Sequence, residues 1–230
     1  MSKKLKLSIS QQAVFGLVFL SIVVWLAIFI PAGKLAYWQG WLYWLVFFSS
    51  VSAISVYFIK KDSNLISSRV NGGPKAETKG SQKIAQAFAA IFFVLLILIP
   101  PFDFRFGWSR VPLYLTVASD VFIALGFMVV FLVFKQNTFA SAIVEVKAEQ
   151  KVVSTGVYGF VRHPMYSGAL LLLFFTPLAL GSFWGLFVFV PLFVVICFRL
   201  GEEEKTLSKN LAGYEEYRKK IKYRLVSYIW

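Results

Sequence analysis

The sequence has one cysteine and one histidine, and only 11 acidic residues against 24 lysines and arginines in 230 positions. The single cysteine, Cys197, excludes an internal disulfide; lying in an apolar run, it is expected to be a buried small hydrophobe. One histidine and one cysteine cannot assemble a histidine-rich protease site or a cysteine zinc site, so no metal is expected. The chain also lacks a glycine-rich dinucleotide loop, a Walker-type phosphate loop and a nucleophile elbow. No internal repeat is visible, which weighs against a transporter built from inverted repeats.

Apolar residues are what the chain has in quantity. They make up 58% of it, aromatics 18%, and the mean hydropathy is +0.70, a composition that belongs in a bilayer. Runs near the ~20 residues that cross the hydrocarbon fall at 12–31, 40–59, 83–101 and 112–134. Two shorter runs, 165–181 and 184–200, meet at "GSFWG" and predict a helical hairpin. The expected fold is all-α: a polytopic membrane protein of about six transmembrane helices, ending in that hairpin and an amphipathic cytoplasmic tail helix. Residues 1–61 form an N-terminal helix pair, 62–82 a flexible polar cytoplasmic linker rich in Gly, Ser and Asn, and 83–230 a membrane domain. The basic start "MSKKLKLSIS" precedes an apolar run too long for a signal peptide and without a small-residue cleavage site, so an uncleaved first span is expected.

The basic residues alternate between the two sides of this arrangement. Three (Lys3, Lys4, Lys6) precede the first span, six lie between spans two and three, four (Lys135, Lys147, Lys151, Arg162) between four and five, and eight from Arg199 to Arg224. Only Lys34, Arg105 and Arg110 lie on the other side, 21 against 3. That bias predicts cytoplasmic termini. It also explains the net charge of +13 through membrane orientation and anionic headgroups, and no nucleic-acid motif accompanies it. Asp120 is the one acid well inside a span, about two turns in, where a carboxylate is costly unless it functions or reaches interfacial water.

Most of the potential chemistry lies after Lys135. The stretch "NTFASAIVEVKAEQKVVSTGVYGFVRHPMYSG" has too many turn residues and charges to span, and is expected to lie along the membrane surface and close over something. Pro164 suits the first turn of the fifth span. Arg162 and His163 then stand at the mouth of that helix, where its dipole and open N–H groups attract an anion and Arg162 offers a donor fork. The alternative is an Arg–His pair anchoring the helix to headgroups. Further on, Arg199 and Glu203 share a helical face, Glu202 and Glu204 pointing elsewhere; the pair is either a self-satisfied salt bridge or a site that holds an anion at Arg199. Residues 205–222 continue as an amphipathic helix with Leu207, Leu211, Tyr214 and Tyr217 on one side.

The ordered combination "VVSTGVYGFVRHPMYSG", Arg199-x-x-x-Glu203-Glu204-x-x-Leu207 and "GYEEY" resembles the isoprenylcysteine carboxyl methyltransferase family of integral-membrane enzymes, in its prokaryotic form. The likeness covers 135–230, and no motif is matched before it. It implies methyl transfer from S-adenosyl-L-methionine to a lipophilic or small acceptor, first of all an isoprenylcysteine-like carboxylate, in the membrane of a prokaryotic cell. The cofactor pocket would include Gln150, Lys151, Val152, Val153, Tyr158, Arg162, His163, Pro164, Met165, Tyr166 and Glu203. Arg199 would face the acceptor and act with Glu203 in catalysis, and Glu145 falls near a position that often holds Gln. A carboxylate acceptor needs no general base; a phospholipid amine or a thiol would call on Glu203, Glu204 or a tyrosine. Two rivals remain: an NADPH-dependent sterol-type reductase, expected to be longer and without proline after the histidine, and a small non-enzymatic transporter.

Overall fold

The computed structural model describes residues 8–70, 72, 76–77, 79–146 and 149–230. Lys3, Lys4, Lys6, Lys75 and Lys147, counted above for sidedness, lie outside them. The helices are α1 (Ile9–Ala32), α2 (Trp38–Lys61), α3 (Ser63–Val70), α4 (Gly80–Phe106), α5 (Leu113–Gln136), α6 (Pro164–Ala179), α7 (Gly185–Asn210) and α8 (Tyr214–Lys220). Among the described residues, five helices are long and apolar enough to cross a membrane. The sixth apolar helix, α6, has 16 residues and reaches only about 24 Å at 1.5 Å per residue. Its C-terminal end is fixed by Gly181, whose φ of +77° is left-handed. Exposed Phe15, Phe19, Met128, Phe187 and Phe198 face outward as the lipid-contacting surface of an integral membrane protein.

α5 packs along α6 and α4 along α7, with α1 against α4 and α2 against α5. Leu96 of α4 meets Val188, Leu192 and Ile196 of α7 in a buried seam. Cys197 stands one residue round from that seam and is half-buried, not buried as the apolar run suggested. α5 and α6 approach most closely at Gly126 and Gly168: a Cβ on Gly168 would lie 3.0 Å from the Gly126 carbonyl oxygen and 3.2 Å from the Val129 side chain. Gly168→Val is therefore expected to destabilise the bundle by about 1–3 kcal/mol through overpacking, read as a lower unfolding midpoint in detergent; an unchanged midpoint would mean that the helices separate at no cost.

The end of the bundle that carries the α6–α7 turn is pinned by polar contacts. Asp103 accepts hydrogen bonds from the Ser109 amide (2.6 Å) and from the hydroxyls of Ser109 and Ser182 (both 2.5 Å), and the Tyr37 hydroxyl donates to the Leu180 carbonyl. Exposed Trp108, Tyr114 and Trp184 ring this end, as aromatics do at a membrane interface. Asp120 is buried in α5, and neither carboxylate oxygen has a hydrogen-bond partner among the described residues.

Two sequence expectations change at the opposite end. The linker contains α3, because the Asp62 carboxylate caps it by accepting from the Leu65 amide (2.9 Å) and Leu65 buries against Phe58, Val133 and Phe134. The tail helix is also interrupted: Gly213, with φ +80°, separates α7 from α8. The break lets Leu211, Tyr214 and Tyr217 fold back onto Val146, Val152 and Tyr158 as one cluster.

Candidate functional site

A cavity of about 450 Å³ opens at this end, between α5, α6, α7 and the segment 137–163. All twelve expected site residues line it: Gln150, Lys151, Val152, Val153, Tyr158, Arg162, His163, Pro164, Met165, Tyr166, Arg199 and Glu203; Glu145 does too. Its volume lies within the range of small-molecule sites. The character of the wall changes along its length. Arg199, Glu203 and Tyr166 stand at the polar end, while Phe127, Val130, Ala169 and Leu172 form an apolar floor between α5 and α6.

Pro164 begins α6 at its first position, with His163 as the N-cap. The amides of Arg162 and His163 donate to the carbonyls of Tyr223 and Arg224, each at 2.9 Å, and the Ser167 hydroxyl to the Leu225 carbonyl (2.6 Å). The C-terminal segment is thereby tied to the mouth of α6. The amides of Met165 and Tyr166 have no hydrogen-bond partner among the described residues, as the first turn of a helix leaves them.

The anion that Arg162 and His163 were expected to attract is part of the chain. Arg162 Nε donates to Glu204 Oε1 at 2.7 Å and Nη1 to the carbonyls of Ile221 and Lys222. His163 Nε2 lies 3.2 Å from the same carboxylate oxygen and 3.5 Å from the Tyr214 hydroxyl. Arg224 Nε takes the other oxygen at 2.9 Å. Glu204 is thus a buried hub for three elements, a role that three consecutive glutamates in the sequence gave no reason to assign to it. Headgroup anchoring is equally far from the geometry, since both side chains are buried.

Arg199 and Glu203 do not form the ion pair that their spacing allowed. Arg199 Nη2 pairs with Glu77 Oε1 at 2.6 Å, its Nη1 donates to Gln82 Oε1 (3.0 Å), and Nη2 also reaches the Ala142 carbonyl (3.3 Å). Glu77 is buried and also accepts from the Val144 amide. Glu203 instead accepts the Tyr166 hydroxyl at 2.7 Å and has no basic partner within 4.0 Å among the described residues. The linker therefore reaches the site through Glu77, Gln82 and Arg69, none of which the sequence pattern singled out.

The tyrosines are held as neutral donors and ring surfaces. Burial pushes the Tyr158 hydroxyl up to about 12, against the lowering effect of the Asn137 amide that donates to it at 2.9 Å. Burial likewise raises Tyr214 and Tyr217; the Tyr217 hydroxyl donates to the Tyr158 carbonyl at 2.8 Å. No group of three or more metal-ligating side chains occurs among the described residues.

Residues 114–213 match the family model described as phospholipid methyltransferase, a stretch that begins in α5, upstream of the motifs, and ends at Gly213. No curated protein matches the chain. The reductase and transporter readings gain nothing from this match. Residues 114–213, under half of the chain, supply most of the cavity lining; with helices long and apolar enough to span, this stretch supports integral-membrane methyl transfer by a phospholipid methyltransferase domain of the isoprenylcysteine carboxyl methyltransferase-like family.

Proposed function

We propose that the methyl donor is S-adenosylmethionine, bound in the polar half of the cavity, and that the acceptor is a lipophilic molecule ending in a carboxylate, isoprenylcysteine-like. The observation that carries this reading is the change along the cavity from a charged rim to an apolar floor inside the bundle. Hydrocarbon fits the floor, leaving its polar terminus among Arg199, Tyr166 and Glu203. The site end faces the cytoplasm in this reading, which the distribution of 21 basic residues against 3 supports.

The polar residues suit the donor. Glu203, with no basic partner among the described residues, complements an ammonium or sulfonium, and the amides of Met165 and Tyr166 at the α6 N-terminus, open among those residues, complement a carboxylate. Tyr158, Tyr214 and Tyr217 with Val152 and Val153 offer flat and apolar surface for an adenine. S-adenosylmethionine supplies an electrophilic methyl whose transfer to a carboxylate forms a C–O bond, breaks a C–S bond, leaves the electron pair on sulfur and moves no proton. What the chain must provide is alignment and exclusion of water. Its imidazole is turned onto Glu204 and Tyr214, an arrangement that suits an acceptor needing no general base.

The test uses purified protein, S-adenosylmethionine labelled in its methyl group, and three acceptors: N-acetyl-S-farnesylcysteine, N-acetylcysteine and phosphatidylethanolamine. Label is expected in the farnesylated acid alone, as a base-labile methyl ester. Base-stable label in phosphatidylethanolamine would replace the carboxylate with an amine acceptor, and equal labelling of N-acetylcysteine would remove the role of the apolar floor.

A further inference from the structure

The rim of the cavity holds a guanidinium without a counter-charge. Arg69, on α3 in the linker, lines the cavity together with Arg199, Tyr166 and Glu203. Its Nη1 donates to the Ser141 carbonyl at 2.9 Å, bridging 72 residues of sequence, and its Cζ lies 5.1 Å from the centre of the Phe134 ring. No carboxylate lies within 4.0 Å of it among the described residues, and none of the remaining residues is an acid. The neighbouring acids are engaged elsewhere: Glu77 pairs with Arg199, Glu204 with Arg162 and Arg224, and Glu203 accepts from Tyr166.

An uncompensated guanidinium beside a second one in a partly enclosed site is costly. Burial and the nearby Arg199 lower its pKa from the ordinary arginine value, as expected of a cation waiting for an anion. Its side chain is positioned by Ser141 and Phe134, while the rest of its donor fork stays available, a geometry suited to a planar carboxylate. Arg199, already neutralised by Glu77, is left to hold the linker and the 141–144 segment against α7.

We infer that Arg69 is the residue that binds the anionic terminus of the methyl acceptor, so that the linker helix α3 supplies the specificity for an acid over a neutral lipid. This rests on the carboxylate reading given above and extends it to a residue outside the segment 114–213. The anion could also be free carboxylate in solution, and the lipid tail separates the two sources.

The experiment is calorimetric titration of the full chain in detergent with N-acetyl-S-farnesylcysteine, its carboxamide and N-acetylcysteine, with and without saturating S-adenosylhomocysteine. The wild type is expected to bind the farnesylated carboxylate at least about tenfold more tightly than the carboxamide, and N-acetylcysteine far more weakly than either. Arg69→Gln should erase the preference for the acid while leaving affinity for the carboxamide and for S-adenosylhomocysteine unchanged, and Arg69→Lys should restore part of it. The inference is overturned by an acid preference that persists in Arg69→Gln, by a wild type without that preference, or by loss of S-adenosylhomocysteine binding in Arg69→Gln. Failure of the donor reading shows separately, as a wild type that does not bind S-adenosylhomocysteine; the titrations without it still test Arg69.

Discussion

Glu204→Ala is expected to lower stability by about 3–5 kcal/mol and to abolish binding of S-adenosylhomocysteine. The residue is 5% exposed, and its two oxygens together accept from Arg162, His163 and Arg224. Its removal leaves a buried guanidinium without a counter-charge, and breaking a buried pair from one side is far more costly than the net worth of the pair. The damage spreads because the same three partners join the start of α6 to α7 and to the C-terminal segment, which closes the cavity through Tyr214 and Tyr217. Glu204→Gln, which keeps the shape and one acceptor, should fall between the two. Thermal unfolding in detergent, followed by titration, reads both effects; a wild-type midpoint in the alanine variant would mean that the segment is held by other contacts.

Glu203→Ala should do the opposite, weakening S-adenosylhomocysteine binding by about 10- to 100-fold with little change in the unfolding midpoint. Hydrogen bonds to a charged group are worth about 1.5–3 kcal/mol, and this carboxylate faces the cavity with the Tyr166 hydroxyl as its one hydrogen-bond partner among the described residues. Glu203→Gln separates charge from hydrogen bonding: if the donor's positive charge is what Glu203 recognises, glutamine fares nearly as badly as alanine. Unchanged affinity in both variants would remove Glu203 from the donor site. Two adjacent glutamates are thus expected to fail in different ways, one as a hub and one as a ligand.

That difference was beyond the reach of the sequence. Consecutive residues on a helix differ by about 100° in direction, so "EEE" at 202–204 announces carboxylates near the membrane boundary without saying which turns inward. Glu204 faces inward because α7 buries Leu200 and Glu204 on one stripe. By contrast, the long apolar helices were legible because hydrocarbon demands uninterrupted hydrophobic length, and the cavity residues from 150 to 166 because they belong to compact motifs on either side of one helix start. Arg69 and Glu77 escaped notice for the complementary reason. They sit in a polar segment whose composition reads as linker, and their partners Ser141 and Arg199 are brought to them only by the packing of α2, α3, α5 and α7. The break at Gly213 was likewise hidden in a periodic pattern that continues across it.

The shortness of α6 bears on the bilayer as well as on the site. Its 16 residues cover roughly 6 Å less than a typical ~30 Å hydrocarbon layer, whereas α5 beside it has 24. A bilayer beside this face would have to thin locally, or be met by flanking polar side chains or a neighbouring copy. On the proposed reading, a lipid entering between α5 and α6 would meet Tyr166 and Glu203 with its polar end while its chain stayed in hydrocarbon.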